Sequence, residues 1–301
     1  MAFVTPRLED IPATKSAKPI FQKGVSHLAP TLIVLVACLY VGVVILLPAL
    51  AVVTQAFAKG IAPFLENFQS DDLMSALRLT LLAAAIAVPA NCIFGLAAAT
   101  AIARRQFRGK ALLLSVIDLP FSISPVVVGL MLVLLYSPNH GLFAGLVNSL
   151  GWKIIFSTPG IVMATIIVTF PFMAREVIPL LEEEGWEQEE AARTLGASDW
   201  QVFWMVTLPS VRWAALYGLI LTTARALGEF GAVSVVSGNI GGQTQTLPLF
   251  VEDAYKQYHT ELAFGAATVL GGVAIVSLLL KILVERLLEQ EKAATRIDQE
   301  G

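Results

Sequence analysis

The chain has 301 residues, of which 56% are hydrophobic and only 14% charged, and its formal net charge is −3 with a mean hydropathy of +0.74. A soluble globular domain carries nearly twice this share of charged residues, so the composition excludes an ordinary water-soluble protein. The small net charge gives no indication of a nucleic-acid partner.

The chain begins with a segment, residues 1–27, that we interpret as a flexible cytoplasmic arm because its first 22 residues hold three prolines and scattered charges. No short apolar stretch with a cleavage site precedes the first apolar run, so this run is expected to be retained. Long apolar runs follow, each near the roughly 20 residues that cross a ~30 Å hydrocarbon core as a helix. They predict six transmembrane helices, at residues 28–54, 79–103, 111–136, 154–174, 213–236 and 262–280.

The fold class predicted from these runs is all-α and polytopic, because backbone amides in lipid must be paired within their own segment. The first helix, 28–54, is followed by a five-helix core at residues 73–285 and a cytoplasmic tail at 286–301. Cys38 and Cys92 both fall within apolar runs, so neither a disulfide nor a metal site is expected.

The distribution of Lys and Arg predicts the orientation, because cytoplasmic connections carry the excess of basic residues. Fourteen basic residues fall in the terminal segments and the even-numbered connections, namely Arg7, Lys15, Lys18, Lys23, Arg104, Arg105, Arg108, Lys110, Arg193, Arg212, Lys281, Arg286, Lys292 and Arg296. Three fall in the odd-numbered connections, namely Lys59, Lys153 and Lys256. Both termini are therefore predicted to face the cytoplasm.

The fourth connection, residues 182–209, carries the clearest local pattern. Its Glu-rich first half favours a helix, and Gly196 supplies the left-handed residue that ends it. Ser198 or Asp199 can cap a second helix, which is expected to end before Pro209. Apolar side chains rimmed by acids suggest a protein partner; they are Trp186, Leu195, Trp200, Phe203 and Trp204.

Two charges lie deep inside the fifth run. Arg225 is about 12 residues into it, roughly 18 Å at 1.5 Å per residue, and Glu229 follows one helical turn later, within pairing range. Charges in a membrane usually face a bundle interior or a wet cavity. The pair therefore either lies near an anion path or gate, or joins helices as a structural ion pair, and the sequence leaves both interpretations open.

Serines near breaks in the helices are the second set of candidates for an anion path or gate. In the third run Pro120 and Pro125 interrupt the backbone hydrogen-bond ladder, so exposed amides and hydroxyls there could line a path, although an ordinary kink explains the pattern as well. The candidate side chains of this kind are Ser122, Ser124, Ser234 and Ser237.

The fourth connection resembles the EAA signature of ABC importer permeases. The matching residues are Glu190, Ala191, Ala192, Gly196, Leu208 and Pro209, and Val206 stands where the family usually has Ile. In that family this loop is a pair of coupling helices that docks on a cytoplasmic ATPase. The resemblance therefore implies that these residues couple the chain to an ATPase.

The resemblance extends over roughly residues 28–288 and is most specific for the CysW type of sulfate/thiosulfate permease. The segments that carry it are residues 119–129, 169–172, 224–240 and 244–248. It implies a type I ABC importer permease fold, an inner-membrane location, two ATPase subunits that hold ATP and Mg, a second homologous permease subunit, and an extracytoplasmic sulfate-binding protein. It implies no cofactor in this chain.

The chain itself is not expected to be an enzyme, because no Gly-x-x-x-x-Gly-Lys-Ser/Thr sequence occurs in it. Molybdate or tungstate is the alternative cargo, since some of the motifs are similar to molybdate permeases. A secondary transporter is disfavoured because no internal repeat is evident. An intramembrane enzyme is disfavoured because no histidine lies within a span.

Overall fold

In the computed structural model of the protein, the backbone is described for residues 28–300 and the side chains for residues 30–287. The described part is helical and contains no strand, which confirms the all-α prediction. The helices are α1 (Leu28–Val41), α2 (Leu47–Ala56), α3 (Ile61–Glu66), α4 (Asp71–Ala103), α5 (Lys110–Ser122), α6 (Pro125–Tyr136), α7 (Ala144–Ser149), α8 (Thr158–Glu184), α9 (Glu187–Thr194), α10 (Asp199–Val202), α11 (Leu208–Ser210), α12 (Arg212–Leu227), α13 (Gly231–Val236), α14 (Leu247–Lys256) and α15 (Thr260–Glu300).

Short segments of other helical geometry join some of these elements. Five-residue π-helical segments occupy Gly42–Leu46 and Phe203–Thr207, and a 3-10 turn occupies Asn67–Gln69. The predicted N-terminal arm, residues 1–27, lies outside the described residues. The predicted tail from residue 286 is the continuation of α15, whose backbone stays helical to Glu300.

The chain divides into two compact units, Met1–Ala51 and Val52–Gly301. The described part of the first unit is α1, the π-helical segment and the start of α2, and its apolar side chains are exposed. An uninterrupted exposed apolar surface of this kind suits contact with lipid rather than water. The second unit contains the remaining helices and the buried core.

Four helices are long and apolar enough to cross a membrane: Pro30–Ala56, Asp71–Ala103, Thr158–Glu184 and Thr260–Leu287. Two further candidates are bent pairs, α5 with α6 at 109° and Asp199–Ser210 with α12 at 74°. Six candidate spans result when each bent pair counts as one. The second pair includes Asp199–Ser210, which belongs to the predicted fourth connection, and the predicted fifth run, 213–236, is broken between α12 and α13.

The third predicted run is not one straight helix. Its two halves are separated at Ile123 and Ser124, whose backbones are extended with ψ of 138° and 134°. Pro125 follows directly and disfavours helical geometry in the residue before it. The structure therefore replaces the expected kink with a sharp bend, and Pro125 begins α6 as a first-turn proline.

Helix α8 is the centre of the second unit. Its first half packs Ile161 and Val168 against residues of α4, α6 and α13, and its second half packs Met173 and Val177 against residues of α4 and α5. The contact with α4 is close because Gly95 lies against Met173, where an added Cβ would stand 2.7 Å from the Met173 Cβ. Small residues at helix contacts permit such close approach in membranes.

A buried polar link also joins α4 to α8. Asn91 is fully buried, and its Nδ2 donates to Thr169 Oγ1 at 2.7 Å and to the Ile166 carbonyl at 3.2 Å. Hydrogen bonds between side chains on neighbouring helices stabilise membrane bundles. This link fixes the register of α4 against α8, and both helices end on the side of the loop described next.

Candidate functional site

The connection between the fourth and fifth spans forms a compact helical loop. Gly185, with φ of +72°, ends α8, and Gly196, with φ of +90°, ends α9. Ser198 begins α10 with a reciprocal cap: its Oγ accepts from the Gln201 backbone N–H at 3.4 Å, and Gln201 Oε1 accepts from the Ser198 N–H at 2.9 Å. Of the two capping residues that the sequence allows, the structure uses Ser198.

Two local predictions for this loop were wrong. The Glu-rich half is not one helix, because the left-handed backbone at Gly185 separates α8 from α9. The second helix does not end before Pro209, since helical structure runs through Pro209 to Ser210. A π-helical turn, Phe203–Thr207, precedes this proline, and such a wide turn relieves the clash between a proline ring and the preceding turn.

The predicted coupling residues lie on the outside of this loop. Glu190, Ala191, Gly196 and Pro209 are exposed, whereas the neighbouring Ala192 and Leu208 are partly buried. The first three belong to α9 and the turn after it, and Pro209 belongs to α11. The motif residues therefore share one loop with the aromatic side chains of α10 and the π-helical segment.

An aromatic cluster covers the second half of the loop. Trp200 and Trp204 have ring centroids 5.5 Å apart, and Phe203 lies 5.5 Å from Trp204. Trp200 is 69% exposed and Met205 is 73% exposed. We call Trp200, Phe203, Trp204 and Met205 the loop aromatic surface. Large exposed apolar patches rimmed by charge are typical of interaction surfaces. The exposure of these side chains agrees with the protein partner predicted from the sequence, which stays a prediction.

Sequence reasoning missed the group that holds this loop in place. Glu189 is buried, and its Oε1 accepts from Arg104 Nε at 2.9 Å and from Thr207 Oγ1 at 2.8 Å. Arg104 also donates through Nη1 to the carbonyls of Leu181 at 2.5 Å and Gly185 at 2.6 Å. We call Arg104, Glu189 and Thr207 the loop anchor; it joins the ends of α4 and α8 to the loop.

No signal in the sequence singles out Glu189. It stands among five other glutamates between residues 182 and 190, all of which are exposed in the structure. The side-chain exposure of Glu189 is 5% and that of Arg104 is 13%. Burial of one carboxylate in six depends on the position of α4, which is distant in sequence, so local spacing carries no information on it.

The structure forms the predicted intramembrane ion pair. Arg225 Nη1 lies 2.6 Å from Glu229 Oε2, although the contact is not aligned as a hydrogen bond. Glu229 Oε1 accepts the backbone N–H of Ala232 at 2.9 Å, at the start of α13. The Glu229 side chain is 1% exposed and that of Arg225 is 31% exposed. Glu229 thus joins α12 to α13, while Arg225 keeps an exposed edge.

The serine candidates fall into two groups. Ser122 and Ser124 are exposed on either side of the bend between α5 and α6. Ser234 is partly buried and donates to the Gly231 carbonyl at 2.8 Å. Ser237 is buried, and its Oγ accepts the Asn239 N–H at 3.1 Å. The first two therefore offer their hydroxyls to the surface, and the last two use theirs on local backbone.

The structure brings the two sets of pathway candidates together. A Cβ added to Gly231 would stand 2.9 Å from the Pro125 Cβ, and one added to Gly129 would stand 2.6 Å from the Ala232 carbonyl oxygen. The bend after Ser124 therefore lies against the start of α13, directly after Glu229 and Phe230. Two broken helices in contact inside a bundle are tolerated where protein or a wet cavity satisfies their backbone.

A bundle of membrane spans in which the bend between α5 and α6 meets the break between α12 and α13, with polar groups near that contact and an anchored aromatic loop, defines a class: a polytopic membrane permease subunit. A family model described as "Binding-protein-dependent transport system inner membrane component" matches residues 91–291. The chain belongs to this family, and within it to the CysW-type permeases of sulfate transport systems, which confirms the resemblance seen in the sequence.

The relatives that show this are similar over most of their length. The sulfate transport system permease protein CysW of Synechococcus elongatus is 61% identical over 87% of this chain and 92% of its own. CysW of Escherichia coli K12 is 47% identical over 83% and 86%. CysT of the same strain is 36% identical over 80% and 86%, which agrees with the predicted W type.

Among solved structures, a permease chain of a bacterial alginate ABC transporter, in complex with an alginate-bound periplasmic protein, has a TM-score of 0.71. The match covers 86% of this chain and 93% of that chain at 17% identity. At this identity the similarity shows the fold alone, which is that of an ABC importer permease. The chain is therefore a multi-pass membrane protein of a transport system that depends on a binding protein.

Proposed function

We propose that this chain is a membrane-spanning permease subunit of an ATP-driven sulfate/thiosulfate importer, in which it forms half of the translocation pathway. The observation that carries the cargo is the 61% identity, over nearly the whole length, to a permease named for sulfate transport. The relatives reported above are all named for sulfate, and no observation favours molybdate or tungstate.

The loop aromatic surface supports a separate ATPase as partner. Trp200 and Met205 are more than half exposed, and aromatic side chains with Met are enriched at protein interfaces. ATP and Mg would be held by that ATPase, and its nucleotide-driven closure would displace the loop and open the pathway outward. ATP hydrolysis would then reset the loop.

The polar bends support a pathway beside a second, homologous permease subunit. Ser122 and Ser124 are exposed at the bend between α5 and α6, and Arg225 presents its partly exposed edge near the break between α12 and α13. A dianion that passes through a membrane needs several donors but must also leave, so neutral hydroxyls and an arginine already paired with Glu229 suit passage better than a free cation. The same bends would meet lipid on their remaining faces.

The orientation follows from the charge distribution and stays a prediction: both termini and the loop face the cytoplasm of a bacterial-type inner membrane. The opposite side would then receive an extracytoplasmic sulfate-binding protein. Proteolysis of right-side-out and inside-out vesicles tests this, with a cleavage site inserted at Gly196. Cleavage from the outside in intact right-side-out vesicles would contradict the orientation.

Uptake in proteoliposomes tests the function directly. The purified complex, with its binding protein outside and ATP inside, should accumulate labelled sulfate, and unlabelled thiosulfate should compete more strongly than molybdate or tungstate. Gly196→Pro should leave insertion intact but abolish ATP-driven uptake, because proline cannot adopt the φ of +90° that ends α9. Purification in mild detergent without any ATPase, or stronger competition by molybdate, would contradict the proposal.

A further inference from the structure

The loop anchor stands out because it buries charge in a loop that is otherwise exposed. Among the described glutamates from 182 to 190, Glu189 is the buried one. Its carboxylate receives Arg104 Nε at 2.9 Å and Thr207 Oγ1 at 2.8 Å, and Arg193 Nη2 lies 3.9 Å from its other oxygen. Three segments distant in sequence thus meet at one carboxylate.

The anchor borders an open groove at the end of α4. The groove, of about 460 Å³, is lined by Thr100, Arg104 and Arg105 at the end of α4 and by loop residues that include Glu189 and Phe203. The Arg104 side chain lines this groove and hydrogen-bonds the end of α4 to Glu189 of α9.

Stability alone is a weak reason for such a group. Burying an ion pair costs desolvation, and apolar residues of similar volume often stabilise a fold as well or better. Charge-assisted hydrogen bonds instead fix distance and direction. Arg104 makes three of them, one to Glu189 and two to the carbonyls of Leu181 and Gly185 at the end of α8.

We propose that Arg104 and Glu189 are positioning residues for energy coupling: they fasten the loop to the ends of α4 and α8, so that a displacement of the loop moves these two spans with it. The inference rests on the proposed function, since it assumes an ATPase that moves the loop. Neither residue contacts cargo or nucleotide in this role. Their effect is on how much transport each hydrolysed ATP produces.

The test uses the complete complex in proteoliposomes and the variant Glu189→Gln. Two quantities are measured: the ATP hydrolysed per sulfate transported, and the recovery and melting temperature of the complex with its ATPase. We expect the ATP consumed per sulfate to rise about tenfold, within the ordinary range of coupling between sites, while the ATPase is still recovered. Glu187→Gln and Arg105→Gln, both at exposed neighbouring positions, are the matched controls and should resemble the unchanged complex.

A second variant separates positioning from folding. In Arg104→Met combined with Glu189→Met the buried charges are gone, so assembly and melting temperature should return toward those of the unchanged complex, whereas the ATP consumed per sulfate should stay high. If the methionine pair restores coupling together with stability, the proposal is overturned. An unchanged ratio in Glu189→Gln, with uptake and recovery falling in proportion, also overturns it.

Thr207→Val is the milder probe if Glu189→Gln does not assemble. It removes one hydrogen bond to the carboxylate and keeps the ion pair, so a smaller rise in ATP per sulfate is expected, and no rise overturns the proposal. Failure of the proposed function is distinguishable, because the unchanged complex would then show no ATP-driven sulfate uptake at all.

Discussion

The ion pair of Arg225 and Glu229 gives a prediction in which the two partners are unequal. Arg225→Gln leaves the Glu229 carboxylate, 1% exposed, without its counter-charge. Within the described part of the chain, the Ala232 N–H is the donor that remains to it. Glu229→Gln leaves Arg225, which is 31% exposed and can be hydrated, and the new amide oxygen can still accept from Ala232. The first substitution should therefore cost more stability than the second.

The magnitudes follow from burial. Breaking a buried pair so that one charge is left uncompensated costs about 3–5 kcal/mol. Because Arg225 is 31% exposed, the pair is not fully buried, and the cost of Arg225→Gln should lie at the lower end of this range, at about 3 kcal/mol. Loss of an ion pair whose arginine is partly exposed, so that water can replace the carboxylate, places Glu229→Gln at about 1 kcal/mol. The double variant removes both charges and should lie within about 1 kcal/mol of the unchanged protein.

Thermal unfolding of the purified complex measures this order. At about 2–4 °C per kcal/mol, the range for domains of roughly 150–250 residues, Arg225→Gln should melt roughly 6–12 °C lower and Glu229→Gln only about 2–4 °C lower. Equal losses in the two single variants would refute the burial argument. Because the double variant should be stable, its uptake decides the role of Arg225: normal sulfate uptake leaves a structural pair, and reduced uptake supports the pathway role.

Three further predictions follow from the geometry. Gly129→Ala should destabilise the protein by about 1–3 kcal/mol because its Cβ would meet the Ala232 carbonyl oxygen at 2.6 Å. The control Gly271→Ala, with open space around it, should be neutral or stabilising. Equal melting temperatures for the two variants would contradict the close contact of α6 and α13. Trp204→Ala should weaken recovery of the ATPase by at least about tenfold, as loss of an interface aromatic does. Trp152→Ala, at a position that is 60% exposed against 49% for Trp204 and lies outside the loop, should not weaken it, and similar recovery for both variants would contradict the loop aromatic surface as the docking site. Glu190→Lys should lower sulfate uptake and raise the ATP hydrolysed per sulfate, without loss of membrane insertion. Normal uptake would show that Glu190 does not take part in coupling.

The spans and the turn at Gly196 were predictable because their causes are local. A long uncharged run must be helical in lipid, and a glycine between two helical patterns supplies positive φ. The spacing of Arg225 and Glu229 likewise predicts their ion pair, which the structure contains. These inferences need only neighbours within about one helical turn.

The structural features that the sequence did not predict depend on neighbours that are distant in sequence. Pro120 and Pro125 indicate a break, but the 109° bend is set by the packing of α6 on α13 through Gly129 and Ala232. In the same way, burial of Glu189 rather than an adjacent glutamate depends on where Arg104 lies at the end of α4. Both contacts join residues more than 80 positions apart, so no periodicity in the chain reports them.

Helix α8 connects these two distant contacts. Its last turns receive the Arg104 hydrogen bonds at Leu181 and Gly185. Near its first turn Gly160 lies against Val236 of α13, where an added Cβ would stand 2.7 Å from Val236 Cγ1. A well-packed helix transmits displacement because interiors of native density compress little. If the loop moves under an ATPase, as proposed, α8 is the element that would carry the displacement to α13 and its contact with α6. The anchor would then set how much of the loop's motion reaches α8.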